Sequence, residues 1–202
     1  MINRDFFFSQ ARLTLFGGSL KQSQVEGLAG ILDEWEDKYR DRDDRWLAYA
    51  LATAHHETDR TMQPIHEYGG KEYLRRNYDV TGNNPTRARK MGNTAPGDGV
   101  LYCGRGYVQL TWKSNYDRAG REIGYAGLVA RPDDAMKAEI ARKILLAGMI
   151  GGWFTGKRFG DYFNGPKADW VQARKIINGL DKANAIASYG QAYYGAISYT
   201  TG

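Results

Sequence analysis

The chain has 202 residues, of which 42% are hydrophobic and 25% charged, with a net charge of +5. That is enough for one sizeable domain or two lobes, and the apolar content excludes global disorder. No run of eighteen apolar residues occurs, which excludes a membrane-spanning helix. No block of five or more basic residues and no zipper or finger spacing occurs either, which argues against nucleic acid as a partner.

In chain order, residues 4–16 read as a helix ended by Gly17-Gly18. Ser23-Gln24-Val25-Glu26 has the pattern of a capping box, and Val25, Leu28, Leu32, Trp35 and Tyr39 follow at helical spacing. Asp41 to Arg45 is a charged break, and Asp44 is the expected cap of a helix running to about Thr58 with Trp46, Leu47, Ala50, Leu51 and Ala54 inward. Residues 61–108 change character, with turn signals at Gly69-Gly70, Gly82-Asn83-Asn84-Pro85 and Ala95-Pro96-Gly97-Asp98-Gly99. One short helix is expected there, over Lys71–Tyr78, together with a small ribbon. A long irregular stretch rich in Tyr and Arg reads as one wall of a cleft. Helices are then expected from Ser114 to Ile123, from Pro132 to about Trp153, from Asp169 to Asn178 and from Lys182 to about Ile197, with Gly156 to Pro166 as a connector. The expected fold is mainly α, with little β. The expected organisation is a single catalytic domain over 1–202, with one lobe from 1–60 plus 109–202 and the other from 61–108.

The chemistry concentrates in Ala54-His55-His56-Glu57-Thr58 and Ile65-His66-Glu67-Tyr68. Two carboxylates near aromatic and amide side chains suit glycosidic bond cleavage, in which one group delivers a proton and the other drives a water onto the sugar carbon. On one straight helix, ten residues would separate Glu57 and Glu67 by ~15 Å and turn them ~80° apart. That exceeds the roughly 6.5–9.5 Å of an inverting pair. The helix must therefore stop between them, and Pro64 lies in that interval. Glu57 is thus placed at the end of a core helix and Glu67 on the returning loop.

All three histidines, His55, His56 and His66, lie beside the two glutamates. The zinc-protease spacing is absent, and adjacent His55 and His56 point to different sides of a helix, so no metal is expected. One imidazole is expected to orient a carboxylate and another to be packed and hydrogen-bonded. Gly104-Arg105-Gly106 lacks the third glycine of a dinucleotide site and reads as backbone passing close to a ligand. Gln109, Thr111 and Asn115 can hold a water or a sugar hydroxyl, or simply cap and turn the backbone. Cys103 is the only cysteine, which excludes an internal disulfide and fits synthesis in a reducing cytoplasm. The N-terminal run Phe6-Phe7-Phe8 is too short for the apolar core of an export signal.

Ala54-His55-His56-Glu57-Thr58, the second glutamate on a following loop, Gly104 to Tyr116 and Lys175-Ile176-Ile177-Asn178-Gly179 together resemble the family 19 glycoside hydrolases. These include the class I and II chitinases and related phage endolysins. The matches run in the family's order over about residues 45–195, and the long central motif is the specific one. The resemblance implies a two-lobed, lysozyme-like helical fold with a cleft between lobes, inverting hydrolysis and no cofactor. Carried over by position, Glu57 is the general acid, Glu67 the general base and Thr111 the hydroxyl that helps hold the attacking water. Gln109, Asn115 and Asn178 match polar substrate contacts, while Tyr102 and Arg105 line or brace the cleft. Two departures stand out. The interval between the glutamates is shorter than in plant chitinases, and Cys103 stands where an aromatic residue is common.

The expectation is an endolysin-type enzyme cleaving β-1,4 bonds of peptidoglycan, with chitin as the runner-up substrate. A lytic transglycosylase or a non-catalytic glycan-binding module are the rivals. The expected setting is a monomer made in the host bacterium's cytoplasm, with a polysaccharide as its partner, that reaches the wall through a hole made by a separate membrane-pore protein or on lysis.

Overall fold

The structure, a computed structural model, describes residues 1–200. In chain order it contains α1 (Arg4–Leu15), α2 (Gln22–Lys38), α3 (Asp44–Glu57), β1 (Ile65–His66), α4 (Lys71–Tyr78), α5 (Pro85–Lys90), α6 (Asp98–Leu101), β2 (Arg105–Gly106), α7 (Lys113–Glu122), α8 (Ala138–Gly151), β3 (Phe163–Asn164), β4 (Lys167–Ala168) and α9 (Ala183–Ala196). The fold is mainly helical. Among the described residues no helix is long and apolar enough to cross a membrane.

The chain divides into two compact units, residues 1–63 with 145–202, and residues 64–144. The division read from the sequence placed 109–144 with the first lobe. These residues are instead tied to 64–108 by their backbone. Leu110 and Arg105 exchange N–H···O bonds of 2.9 and 3.2 Å, and the N–H of Trp112 donates to the carbonyl of Tyr102 at 2.9 Å. The N–H of Lys113 donates to the Asn93 side chain at 3.0 Å.

In the first unit α3 is the central element, with every residue from Leu47 to His55 buried, and α9 packs along it. A helix apolar on all sides belongs inside a core rather than at its edge. Asp43, not Asp44, caps α3 by accepting the N–H of Arg45 at 3.0 Å. Asp44 instead accepts the Tyr199 hydroxyl at 2.6 Å. The capping box expected at Ser23 is also displaced. Helix α2 begins at Gln22, Gln24 accepts the Lys21 N–H at 2.8 Å, and Glu26 bonds to Gln22 one turn back at 3.0 Å. The two ends of the described chain pair with each other: Ile2 bridges Tyr199, and the N–H of Thr200 donates to the Met1 carbonyl at 3.1 Å.

In the second unit, β1 and β2 form the expected small ribbon, antiparallel, with His66 opposite Arg105. Two buried aspartates order the loops around it. Asp79 accepts the N–H groups of Thr81, Gly97 and Gly99 at 3.1, 2.7 and 3.1 Å. Asp98 accepts those of Thr94 and Ala95 at 2.9 and 3.1 Å. The long helix expected from Pro132 is interrupted, because Lys137 is extended (φ −69°, ψ 125°) between a 3-10 turn over Pro132–Met136 and α8. The helix expected over Asp169–Asn178 is only a 3-10 turn, Gln172–Ile176. The connector 156–166 is not wholly irregular, since Phe163–Asn164 pairs with Lys167–Ala168 as a hairpin.

His55 makes a pH-dependent contribution to this core. It is 1% exposed, packed against the rings of Phe16 and Tyr189, with Nδ1 3.0 Å from the Tyr193 hydroxyl. Burial, with smaller contributions from Arg60 and His56, lowers its pKa to about 4. An unfolded histidine titrates near 6.5. Between those values the unfolded chain binds the additional proton, so stability present above pH 6.5 falls as the pH drops toward 4, by up to about 3 kcal/mol. Urea melts at pH 7 and pH 4 are expected to show this loss, and His55→Phe to flatten it. An unchanged slope in the variant would remove His55 as the cause.

Candidate active site

The candidate residues fall into two sets, one in each unit. In the first unit Glu57 is the last residue of α3. The helix stops there, well before Pro64. Thr58 folds back, its hydroxyl donating to the Ala54 carbonyl at 2.7 Å and accepting the Met62 N–H at 3.1 Å. Asp59, Arg60 and Met62 then take positive φ values of 48°, 66° and 54°. Left-handed backbone, rather than the proline, ends the helix.

The Glu57 carboxylate is held by Arg174, whose Nη1 donates to Oε1 at 2.6 Å. Oε2 takes no bond among the described residues. Arg174 is itself 4% exposed and also donates from Nε to the Asp181 carbonyl at 3.2 Å. Asn178 follows in the same turn, its N–H donating to the Arg174 carbonyl at 3.1 Å, and its side chain is exposed. The sequence reading missed Arg174. Its only local signal is a cation between Ala173 and Ile176, both buried.

In the second unit Glu67 directly follows β1, and its own N–H donates to the Gly104 carbonyl at 2.8 Å. Both carboxylate oxygens accept hydrogen bonds, Oε1 from the Tyr78 hydroxyl at 2.6 Å and Oε2 from the Gly104 N–H at 3.0 Å. Each oxygen of the carboxyl group thus serves as an acceptor. Burial, and then the bond to Glu67, raise the pKa of Tyr78 and keep its proton in place. The Tyr78 ring stands edge-on to Trp112 at 5.1 Å. Trp112 has φ +79°, a strained value for a bulky residue.

Gly104 has its own reason to be glycine. A Cβ there would lie 2.8 Å from Gln109 Oε1 and 3.0 Å from Glu67 Oε2. The close approach that the glycine provides is to the Glu67 carboxylate. Gln109, at φ +53°, donates from Nε2 to the Ile65 carbonyl at 3.1 Å, which ties it to the residue two before Glu67. The Thr111 hydroxyl donates to the Gln109 carbonyl at 2.8 Å, leaving its lone pairs to accept from a water. Asn115 donates to the Thr111 carbonyl at 2.8 Å. Glu67, Gln109, Thr111 and Asn115 are thus one connected set. Of six non-glycine residues with positive φ among those described, five lie in the segments 59–62 and 109–112. Each costs about 1–3 kcal/mol, and such strain gathers at functional sites.

Tyr102 and Arg105 lie beneath this set, 4% and 5% exposed. Arg105 donates to Asp133, to the carbonyls of Leu101 and Cys103 and to the Tyr116 hydroxyl, so its role is to brace the loop. The Tyr102 hydroxyl reaches the Val129 carbonyl at 3.3 Å. Cys103 is buried, which raises its thiol pKa and keeps it protonated. The expected imidazole partner of a catalytic carboxylate is replaced. His66 is exposed, 3.7 Å from Asp133, while Arg174 and Tyr78 hold the two glutamates. Among the described residues no group of three or more His, Cys, Asp or Glu side chains is placed to hold a metal ion.

Residues 35–157 match the family model described as chitinase class I. No curated protein matches the chain. Among solved structures, chitinase C from Streptomyces griseus HUT6037 aligns with a TM-score of 0.59 at 20% identity, over 93% of this chain and 74% of that one. The class IV family 19 chitinase from Zea mays aligns at 0.54 and 20% identity, over 95% and 88%. A bacterial family 19 chitinase aligns at 0.53 and 18% identity, over 95% and 94%. The likeness extends over nearly the whole chain, so the lysozyme-like helical fold of those enzymes is the fold found here. With the family model covering more than half of its residues, the chain belongs to glycoside hydrolase family 19.

Proposed function

We propose that this glycoside hydrolase is an endolysin-type enzyme that cleaves β-1,4 bonds of peptidoglycan glycan strands with inversion. Glu57 is the general acid and Glu67 the general base, and Thr111 helps to place the attacking water. The observation that carries the reading is the unequal bonding of the two glutamates. Glu67 accepts one hydrogen bond at each oxygen, and the remaining lone pairs can take a proton from the attacking water. Glu57 has one oxygen fixed by Arg174 and the other open to deliver a proton. Once that proton has left, the guanidinium offsets the new negative charge. Gln109, Asn115 and Asn178 supply polar contacts to the sugar, and Tyr102 and Arg105 support the loop that carries them. A lone buried cysteine supports synthesis in a reducing compartment, with a separate membrane-pore protein releasing the enzyme to the wall.

Chitin is the second reading, because the solved structures described above are chitinases. Proton NMR of the anomeric signals during digestion of muropeptide and chitin oligomers separates the substrates and tests the mechanism. The α-anomer is expected first at each new reducing end, with a water added to the product mass. A first-formed β-anomer, or anhydro-sugar ends, would overturn the inverting mechanism.

Gly104→Ala tests the support of the base. The added methyl is expected to push the Glu67 carboxylate or Gln109 aside, and a shift of ~1 Å in a catalytic group can cost about 100-fold in rate. The expected result is a loss of kcat of about tenfold or more, with the melting temperature nearly unchanged. Equal turnover in the variant would show that the base tolerates the crowding.

A further inference from the structure

The net charge is not spread over the chain. Residues 64–144 hold fourteen Lys and Arg against nine Asp and Glu, while the rest of the chain holds fourteen against fourteen. The whole excess of +5 therefore belongs to the second unit. Within it, residues 68–98 contain six cations, Lys71, Arg75, Arg76, Arg87, Arg89 and Lys90, all exposed. The same stretch has three acids. Two of them, Asp79 and Asp98, are buried and occupied by backbone N–H groups. Glu72 alone is exposed. None of the six cations has an ion-pair partner among the described residues, although like charge gathered without counter-charge is unfavourable.

The cations lie on two short helices, three on α4 and three on α5, joined by one turn. The turn between α4 and α5 is fastened to α4 by the Asn83 N–H, which donates to the Arg76 carbonyl at 2.8 Å. Tyr78 from α4 and Arg87 from α5 both pack on Trp112, at 5.1 and 5.4 Å. Tyr73, Arg75, Arg76, Thr81 and Asn83 line a recess together with Glu72, so two guanidinium groups face one carboxylate there. Four of the six cations are arginine, whose planar fork suits the paired oxygens of carboxylate and phosphate.

We propose that the α4–α5 face of the second unit is a binding surface for oxyanions carried along the substrate polymer. It holds the enzyme on an acidic glycan and favours a charged wall over neutral chitin. The proposal deepens the peptidoglycan reading and rests on it only for the identity of the polymer. The carboxylates of wall peptides and the phosphates of wall-linked polymers offer the same chemistry to this face.

The test is co-sedimentation of the full chain carrying Glu57→Gln with purified bacterial wall, at several salt concentrations. Because that protein need not turn over, binding is read independently of whether the wild type hydrolyses the wall. Adding Arg75→Gln, Arg76→Gln, Arg89→Gln and Lys90→Gln is expected to weaken binding at low salt by about tenfold or more, with a shallower salt dependence. Replacing Arg75, Arg76 and Arg89 by lysine is expected to retain most of the binding. A control that neutralises Arg40, Arg42, Lys157 and Arg158 on the first unit changes the net charge equally and is expected to bind as before. Wall with its carboxylates amidated, and wall stripped of phosphate polymers, identify the anion by which treatment abolishes binding. Equal loss in the first-unit control, unchanged binding in the α4–α5 variant, or full binding to wall lacking both anions would overturn the proposal. Unaltered circular dichroism in each variant excludes loss of fold as the cause.

Discussion

Glu57→Gln is expected to lower turnover on purified wall by about 10²–10⁴-fold, the usual contribution of a general acid, while the melting temperature stays within a few degrees of the wild type. The asymmetry comes from Arg174. The glutamine carbonyl oxygen still accepts from Nη1, so the buried guanidinium keeps a partner, and the side chain keeps its length and place at the end of α3. The change removes the acidic proton and almost nothing else. Glu57→Ala is a poorer probe, because it leaves the 4% exposed Arg174 without its anion. Breaking a buried pair from one side costs about 3–5 kcal/mol, so lost activity and lost stability would be mixed. Near-normal lysis by the Gln variant would remove Glu57 from the acid role, and with it the mechanism proposed here.

The second large effect is on stability. Gly27→Ala is expected to destabilise the protein by ~4 kcal/mol, beyond the range of most single substitutions. A Cβ at Gly27 would sit 1.8 Å from the carbonyl oxygen of Met62 and 2.9 Å from its carbonyl carbon, so helix and turn must separate. Neither side can yield by a rotamer change, since both atoms in conflict are backbone. The turn is further held by Gln24, which donates to the Arg60 carbonyl at 2.8 Å, and by Gln63, which donates to the Ser23 carbonyl. Those contacts fix the left-handed residues that follow Glu57. Activity is therefore expected to fall along with the urea midpoint. A loss below about 1 kcal/mol would show that the turn is softer than its contacts imply.

The local elements were the most readable part of the sequence. Helix α4 has the bounds read from it, because Gly69-Gly70 and Asp79 punctuate both ends. The ends of α2 and α3 were misread by a residue or two for a common reason. Several polar residues in a row can each cap, and the choice depends on which side chain reaches a free N–H. The interruption at Lys137 and the short 3-10 turn at Gln172–Ile176 leave apolar spacing almost helical, so periodicity could not reveal them. Both glutamates could be located from Glu57 at a helix end and Glu67 on the return. Their supports could not. Arg174 is 117 residues from Glu57, and Tyr78 reaches Glu67 from the far end of α4. Such partners are set by packing, which carries no period. Histidine, the expected orienting residue, was inferred from nearness in sequence, and that is weak evidence for nearness in space.

The bridge between Ile2 and Tyr199 has a practical consequence. Because the two ends of the described chain already lie side by side, a short linker can join them into a ring without moving α1 or α9. New ends can then be opened at the solvent-facing turn of the Phe163–Ala168 hairpin, where Gly165 sits. For the first unit, α9 would then be synthesised before α1, and segments attached beside Ile2 and Tyr199 would emerge from the same spot.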